Sequence, residues 1–531
     1  MVVFQITIAI LLAATLGTVL ARKIRLPLEL TLVVGSLGVA LIPGVPAVHL
    51  DSEVIFFVFL PPILFSAAYF TSWNEFKKNI RPISFLALGL VVFTVCGMAL
   101  AVKWLVPTLT WPMAFLFGAI ISPPDASAAT TVTRGAGFPR RLQVVLEGES
   151  LVNDATALVC YRFALVALVS GEFHWLESIG QFLLVGLGGT AIGLAVTHLM
   201  LRLMIHIRDA SAEALLSLVI PFACYFAAES LHLSGVIATV AGGLYAGRTL
   251  PRWATPETRL EAKALWNVVL LALNALVFTL MGLQLPAVLK GLGDFGAGEL
   301  CIWALLLTGA VVAIRFVWMF PATWLPRRLI PGLAQRDPMP SLGTIIVLGW
   351  TGMRGIVSLA TALALPVTLA NGESFAERPL LIFLAYAVIL LTLVIPTITL
   401  PPLLRFLKLE DGDERQDDEV KARIAMARAA SGHLSRLREG NRYSVTVLSE
   451  VARRYQRQLD RIVPNLEPNA YSAINLPDQQ SRSLMLELFE SERSVLHELR
   501  SHGELYDEVY HRLGEELDLE ALRVRRNMRP I

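Results

Sequence analysis

Apolar runs of roughly 20 residues, the length that crosses a bilayer as a helix, recur from the N-terminus of the chain to about Arg405 and then stop. Punctuated by Gly, Pro and charge, they predict spans near 2–21, 27–43, 53–69, 82–106, 112–132, 145–169, 176–204, 211–230, 235–247, 264–286, 299–324, 342–366 and 379–405. The expectation is an all-α polytopic membrane protein of about thirteen transmembrane helices. Its membrane domain occupies 1–408, and 409–531 forms a helical tail. In the tail, helical stretches are expected near 418–438, 443–463 and 479–515, set off by Gly440 and by the Pro464 to Pro477 segment. Leu488, Val495, Leu499, Tyr506, Val509 and Leu513 make an amphipathic stripe there that suits helix packing or tail dimerisation. A regulatory role and a plain helical domain fit this tail equally.

Composition agrees with the pattern. Of 531 residues, 55% are apolar and 17% charged, too greasy for a chain of this length in water. The first apolar run has no basic stretch before it and no small-residue cleavage site after it, so it reads as a retained helix. Cys96, Cys160, Cys224 and Cys301 lie in apolar runs without metal-ligand spacing and read as small packing residues. Nothing in the charge balance suggests nucleic acid.

Loop charge orients the bundle. Alternate loops carry Arg22, Lys23 and Arg25, then Lys77, Lys78 and Arg81, then Arg134, Arg140 and Arg141, and the series continues to Arg327, Arg328 and Arg336. The opposite loops hold only Lys103, Lys290 and Arg378. This bias puts the first group in the cytoplasm, the N-terminus outside and the tail inside.

Charge inside the membrane costs several kcal/mol on the mildest scale, about 2.5–3.5 at the centre of a helix, so each such residue needs a partner or a reason. Asp125, Glu147, Glu149, Asp154, Arg315 and Arg354 are the candidates. In the fifth span, Pro123 and Pro124 remove two amide donors and break the helix just before Asp125. Irregular backbone at that depth must line a cavity or be buried in protein. Asp125 is placed to cap the second half-helix, a role compatible with ion binding.

The sixth span reads Glu147-Gly-Glu-Ser-Leu-Val-Asn-Asp-Ala. Glu147, Ser150 and Asp154 stack along one helical stripe, and Glu149 and Asn153 along its neighbour. Facing lipid, such stripes are untenable, so they should face the broken helix across the bundle interior. Asp154 lies deepest and is expected to alternate between protonated and cation-bound states. Glu149 reads better as a salt-bridge partner, with Arg315 and Arg354 both available to it. Gly352 and Gly355 around Arg354 allow close backbone approach or a second interrupted helix. The Phe59-Leu-Pro-Pro run in the third span signals a kinked helix. No phosphate loop, nucleophile triad, redox motif or cofactor-binding motif is present.

Phe59-Leu-Pro-Pro-Ile, Ser122-Pro-Pro-Asp-Ala, Glu147-Gly-Glu-Ser-Leu-Val-Asn-Asp-Ala and Gly352-Met-Arg-Gly-Ile-Val-Ser-Leu-Ala, in that order, resemble the monovalent cation:proton antiporters, in the branch of NhaP-type bacterial antiporters and animal sodium/proton exchangers. The resemblance covers roughly residues 1–405. It implies an NhaA-like fold with crossed discontinuous helices, a homodimer, and electroneutral exchange of Na+, K+ or Li+ for H+ by alternating access in the cell membrane. The associated role is pH and cation homeostasis.

Carried over by residue, the resemblance makes Asp154 the cation or proton carrier, with Asn153 beside it and Ser150 and Asp125 completing the site. It pairs Glu149 with Arg315 rather than Arg354. One departure stands out: where such proteins commonly show Thr-Asp-Pro or Val-Asp-Pro, this chain has Pro124-Asp125-Ala126, so no threonine hydroxyl is present at 124 and only the Pro124 carbonyl is left as a ligand there. Two other classes stay open on the residues themselves. A proton-coupled solute transporter would need more polar or aromatic groups than these stripes supply, and a cation channel would need a filter motif that is not evident.

Overall fold

The computed structural model describes residues 12, 15–21, 23, 28–40, 42, 55–125, 139–170, 175–207, 209–292, 295–368, 375–407, 414–439, 443–462 and 479–526. Apart from isolated bridge residues, the regular structure of these described residues is helical. The membrane portion comprises α1 (Leu28–Ala40), α2 (Leu60–Phe70), α3 (Ile80–Leu105), α4 (Trp111–Ile121), α5 (Arg140–Ser170), α6 (Trp175–Ile207) and α7 (Ala210–Glu229). It continues with α8 (Gly235–Trp253), α9 (Pro256–Lys290), α10 (Ala297–Leu329), α11 (Leu342–Trp350), α12 (Ile356–Leu363) and α13 (Arg378–Leu407). Among the described residues, seven helices are long and apolar enough to cross a membrane: α3, α5, α6 (over Leu183–Ile207), α7, α9, α10 and α13. Most of the first expected span, 2–21, lies outside the described residues.

Several helices overrun the apolar runs that predict them. The expected 264–286 becomes Pro256–Lys290, and 145–169 becomes Arg140–Ser170. Hydropathy reports where lipid ends, whereas a helix continues until its hydrogen bonding is interrupted.

The proline pairs behave differently from each other. In the third span a π-helical turn, Ile55–Phe59, runs directly into α2, and the chain stays helical through Pro61 and Pro62, with the irregular turn placed just before the pair. Pro123 and Pro124, by contrast, follow the last turn of α4 and end it.

A single large apolar core joins α3, α4 and α5 to α10, α11, α12 and α13, with residues of α1 and α9 added to it. Gly118 lets α4 lie directly on the Val95 backbone of α3, where a Cβ would overlap the carbonyl oxygen. The outer surface is also apolar: Trp104, Leu187, Phe226, Leu199 and Val268 are all more than half exposed. Exposure on that scale suits hydrocarbon as the solvent.

The chain divides into two compact units. The first holds most of the membrane helices. The second gathers Asp411–Ile531 with two short segments, Ile207–Leu215 and Pro251–Ala264. Its helices are α14 (Glu414–Glu439), α15 (Val445–Ile462), α16 (Gln479–His502) and α17 (Asp507–Arg526), packed around an apolar core of their own. Asp518 of α17 is shared by Arg493 and, at 2.5 Å, Arg259, while Arg525 pairs with Glu257 at 2.8 Å.

The long tail helix expected over 479–515 is in fact two. Gly503 adopts φ +71°, its N–H bonds the Arg500 carbonyl at 3.0 Å, and the Glu504 N–H reaches back to Leu499 at 3.0 Å. This Schellman closure stops α16. Leu488, Val509 and Leu513 from the expected stripe are buried in the tail's own core, and Leu499 and Tyr506 pack against it. Helix packing within the tail is therefore one use of those residues.

Candidate ion-binding site

The site forms where two helices stop in mid-bundle. With no N–H on Pro123 or Pro124, carbonyls in the last turn of α4 lose their helical donors. The Ala119 carbonyl accepts instead from Ser122 Oγ at 3.0 Å. The second interruption separates α11 from α12 across Thr351–Gly355. The two extended segments pair: Pro124 and Arg354 form an antiparallel bridge, and the Asp125 N–H donates to the Met353 carbonyl at 2.7 Å. Asp125 therefore cannot bond Ile121 as a helix would require.

The Ile121 carbonyl is taken up by Arg354 Nε at 2.9 Å, and Arg354 Nη1 also donates to the Gly352 carbonyl. The Arg354 N–H finds the Thr392 hydroxyl of α13 at 3.3 Å. A buried guanidinium thus serves the backbone acceptors that both breaks expose.

Helix α5 faces this junction. Asn153, fully buried, donates from Nδ2 to the Pro124 carbonyl at 2.9 Å, and its Oδ1 has no hydrogen-bond partner among the described residues. Asp154 is 9% exposed, no donor among the described residues reaches its carboxylate, and Asp125 lies within electrostatic range of it. Gly355 sits against Asp125 so closely that a Cβ there would overlap the carboxyl group. Two carboxylates, an amide oxygen and a backbone carbonyl thereby gather at one polar junction in an apolar bundle. Oxygen donors of this kind replace the hydration of a hard monovalent cation, and a carboxylate among them binds a proton instead.

Glu149, one turn before Asn153, meets Arg315 of α10 in a two-pronged pair at 2.6 and 2.9 Å, with both side chains 1% exposed. Arg315 Nε also donates to the Leu348 carbonyl at 2.9 Å, at the end of α11. Breaking a pair buried this deeply by removing one member costs about 3–5 kcal/mol. The pair fastens α5, α10 and α11 into one body around the site.

At one end of these helices Arg81 of α3, Arg141 of α5 and Arg327 of α10 converge on Asp337, in the segment leading to α11. Removal from water by itself would raise the Asp337 carboxyl. The hydrogen bond and charge of Arg141, with Arg327 and Arg81, outweigh that and hold it below the ordinary carboxylate range.

A family model described as "Sodium/hydrogen exchanger, transmembrane" matches residues 8–406. The chain belongs to this sodium/hydrogen exchanger family. It is accordingly a multi-pass membrane transporter and not an enzyme.

Among relatives, the exchanger is 32% identical to the "Sodium, potassium, lithium and rubidium/H(+) antiporter" of Bacillus pumilus over 76% of this chain and 61% of that protein. It is 30% identical to the "Uncharacterized Na(+)/H(+) exchanger YjcE" of Escherichia coli over 99% of this chain and 100% of that protein, so this similarity extends through the tail. The sodium proton antiporter MjNhaP1 of Methanocaldococcus jannaschii has a similar fold, with a TM-score of 0.61 at 18% identity over 78% of this chain and 99% of that one.

Within the exchanger, Asp125, Asn153 and Asp154 come together as spacing suggests, and Pro124 joins them through its carbonyl. That carbonyl is already engaged by Asn153. Ser150 lies half-buried one turn before Asp154 on α5. Glu147 is bonded by Gln143 at 2.8 Å instead of entering the pocket. The half-helix that Asp125 was expected to cap lies at 126–138, outside the described residues.

Arg354 differs from its sequence reading as a possible partner of Glu149. Arg315 makes that ion pair, and Arg354 is bound to carbonyls. The physical reason is the two breaks, whose freed acceptors, Ile121 and Gly352, compete for the nearest donor. Thr392 and Asp337 escape a sequence reading: Thr392 is one hydroxyl in an apolar helix, and Asp337 shows only as a lone acid in a basic loop. The cysteines are less uniform than expected, with Cys224 buried and Cys96 and Cys301 exposed.

Proposed function

We propose that the chain is a secondary active antiporter exchanging Na+ for H+, with K+ and Li+ as the other candidate cations, by alternating access. The observation that carries this reading is a buried carboxylate, Asp154, that no donor among the described residues reaches, beside Asp125 and an Asn153 oxygen that has no hydrogen-bond partner among those residues. Such a carboxylate is stable when it holds either a proton or a cation, and the two compete for it. With Asp154 as the one group that trades a proton for a cation and Asn153 beside it neutral, one cation displaces one proton, in keeping with the electroneutral exchange that the Asn153-Asp154 pair implies by resemblance. In this reading Asp154 carries the ion, Asp125, Asn153, Ser150 and the Pro124 carbonyl complete its ligands, and the Glu149–Arg315 pair is structural.

The same proposal takes the bundle as about thirteen spans with two crossed, discontinuous helices and a homodimeric assembly. It places 1–408 in the cell membrane with the N-terminus outside, and 409–531 as a cytoplasmic tail. The positive bias of alternate loops supports that orientation. The name of the Bacillus pumilus relative spans Na+, K+ and Li+, which is why all three are to be tried.

In proteoliposomes with a preset pH gradient, addition of at least one of Na+, K+ and Li+ is expected to dissipate the gradient without a membrane current, and Asp154→Asn is expected to abolish the signal. Full exchange by Asp154→Asn sinks the assigned carrier, and a current without proton counter-movement sinks antiport itself.

A further inference from the structure

Helix α5 holds two ion pairs of opposite character, about 20 Å apart along its axis at 1.5 Å per residue. Glu149–Arg315 is sealed at 1% exposure on both sides, whereas Arg162–Glu229, at 2.8 Å, leaves the side chains 47% and 25% exposed. The first is costly to open, because each charge would be stranded away from water. The second is weak, because exposed charges lose little on parting. Its partner, Glu229, is the last residue of α7 and also accepts the Gly235 N–H at 3.1 Å, at the start of α8. Gly235 itself packs on Tyr225 and Glu229.

Between this pair and the ion site lies an apolar plug. Asp154, Leu158 and Arg162 follow one another at intervals of four on a single face of α5. Leu158 is buried with Leu60 and Leu64 of α2, Tyr225 of α7, Val236 of α8 and Val357 of α12. On the side of Asp154 toward Arg162, an ion thus meets a closed hydrophobic layer and, beyond it, a salt bridge from α5 to the α7–α8 corner. Exchange of two ions at one site requires each side to open in turn, and this layer has to part for one of those openings.

We infer that Arg162–Glu229 is a latch that holds the outer side of the ion site closed and must break for the site to face outward, while Glu149–Arg315 stays intact throughout. The inference rests on the antiport reading and on the orientation proposed above. The plug alone excludes ions, and the latch sets how often it opens.

The test uses the full chain in proteoliposomes of known orientation. Arg162→Cys/Glu229→Cys, with the four native cysteines replaced by alanine, is bridged with a reducible bifunctional thiol reagent and the bridge is verified by mass spectrometry. Bridging is expected to cut cation-driven dissipation of the pH gradient at least tenfold, and reductant to restore it. Bridged protein that exchanges at the unbridged rate overturns the latch.

Independently, and with native cysteines kept, Arg162→Gln and Glu229→Gln shift the balance toward the outward-facing form. The half-saturating cation concentration should fall about two- to five-fold from the outer face and rise from the inner face, as loss of an exposed pair allows. Equal changes at both faces, or none, overturn the latch as well. Wild-type protein that exchanges no cation for protons is a separate result, directed at the antiport reading and not at the latch.

Discussion

Replacing Arg315 by methionine, which keeps much of the side chain's length and removes its charge, tests how the membrane core is fastened. Glu149 would be left at 1% exposure with both of its close donors gone, and the Leu348 carbonyl would lose the guanidinium and keep the Thr351 hydroxyl at 3.2 Å. Stranding one member of a buried pair costs about 3–5 kcal/mol, so about 4 kcal/mol is the working figure. If half of that falls on the unfolding barrier, the folded half-life at a fixed temperature shortens about 30-fold. Monodisperse protein remaining in detergent, followed by size exclusion during heating, measures that half-life. Glu149→Met/Arg315→Met removes both charges and should recover most of the loss, since a packed apolar pair is often as stable as a buried ionic one. A wild-type half-life in the single variant, or a double variant no better than the single, refutes the argument.

Gly355→Ala adds a Cβ that overlaps the Asp125 carboxyl, although the backbone at φ −133° is open to any residue, so the effect is steric and local. Exchange should fall at least tenfold with folding intact; unchanged flux would mean that Asp125 is not confined as described. Asp337 has its carboxyl held below the ordinary range, so its contribution to stability is present above the unfolded carboxylate pKa of about 4 and is lost as pH falls through the lower folded value. Asp337→Asn should therefore unfold at lower temperature than wild type at pH 7, with the gap closing as pH is taken toward 3. A gap independent of pH would show that charge is not its cause.

The reading of particular residues shows where sequence suffices. Pro123 and Pro124 announce the first break because a missing amide is a local fact that no packing can restore. Asn153 and Asp154 announce a polar face on one helix because helical geometry fixes which residues lie along neighbouring stripes, and the lipid penalty turns that face inward toward the break that carries Asp125. Arg354 is misread for the opposite reason. Its partners, the carbonyls of Ile121 and Gly352, carry no side-chain signature and become acceptors only once both helices have stopped. The tail shows the same limit: Gly503 ends α16 through a left-handed turn, though the apolar stripe runs on past it.

By itself, then, the sequence determined that the chain dissolves in lipid, where its apolar runs lie, which charges are too expensive to be idle, and where one helix must break. These follow from solvent preference and from backbone chemistry that each residue carries with it. Tertiary structure decided the pairings: Glu149 with Arg315, Arg354 with freed carbonyls, Asp337 with three arginines, and Arg162 with Glu229. Hydrogen bonds and ion pairs act over a few ångströms, and the partners are set by how helices distant in sequence come to lie side by side.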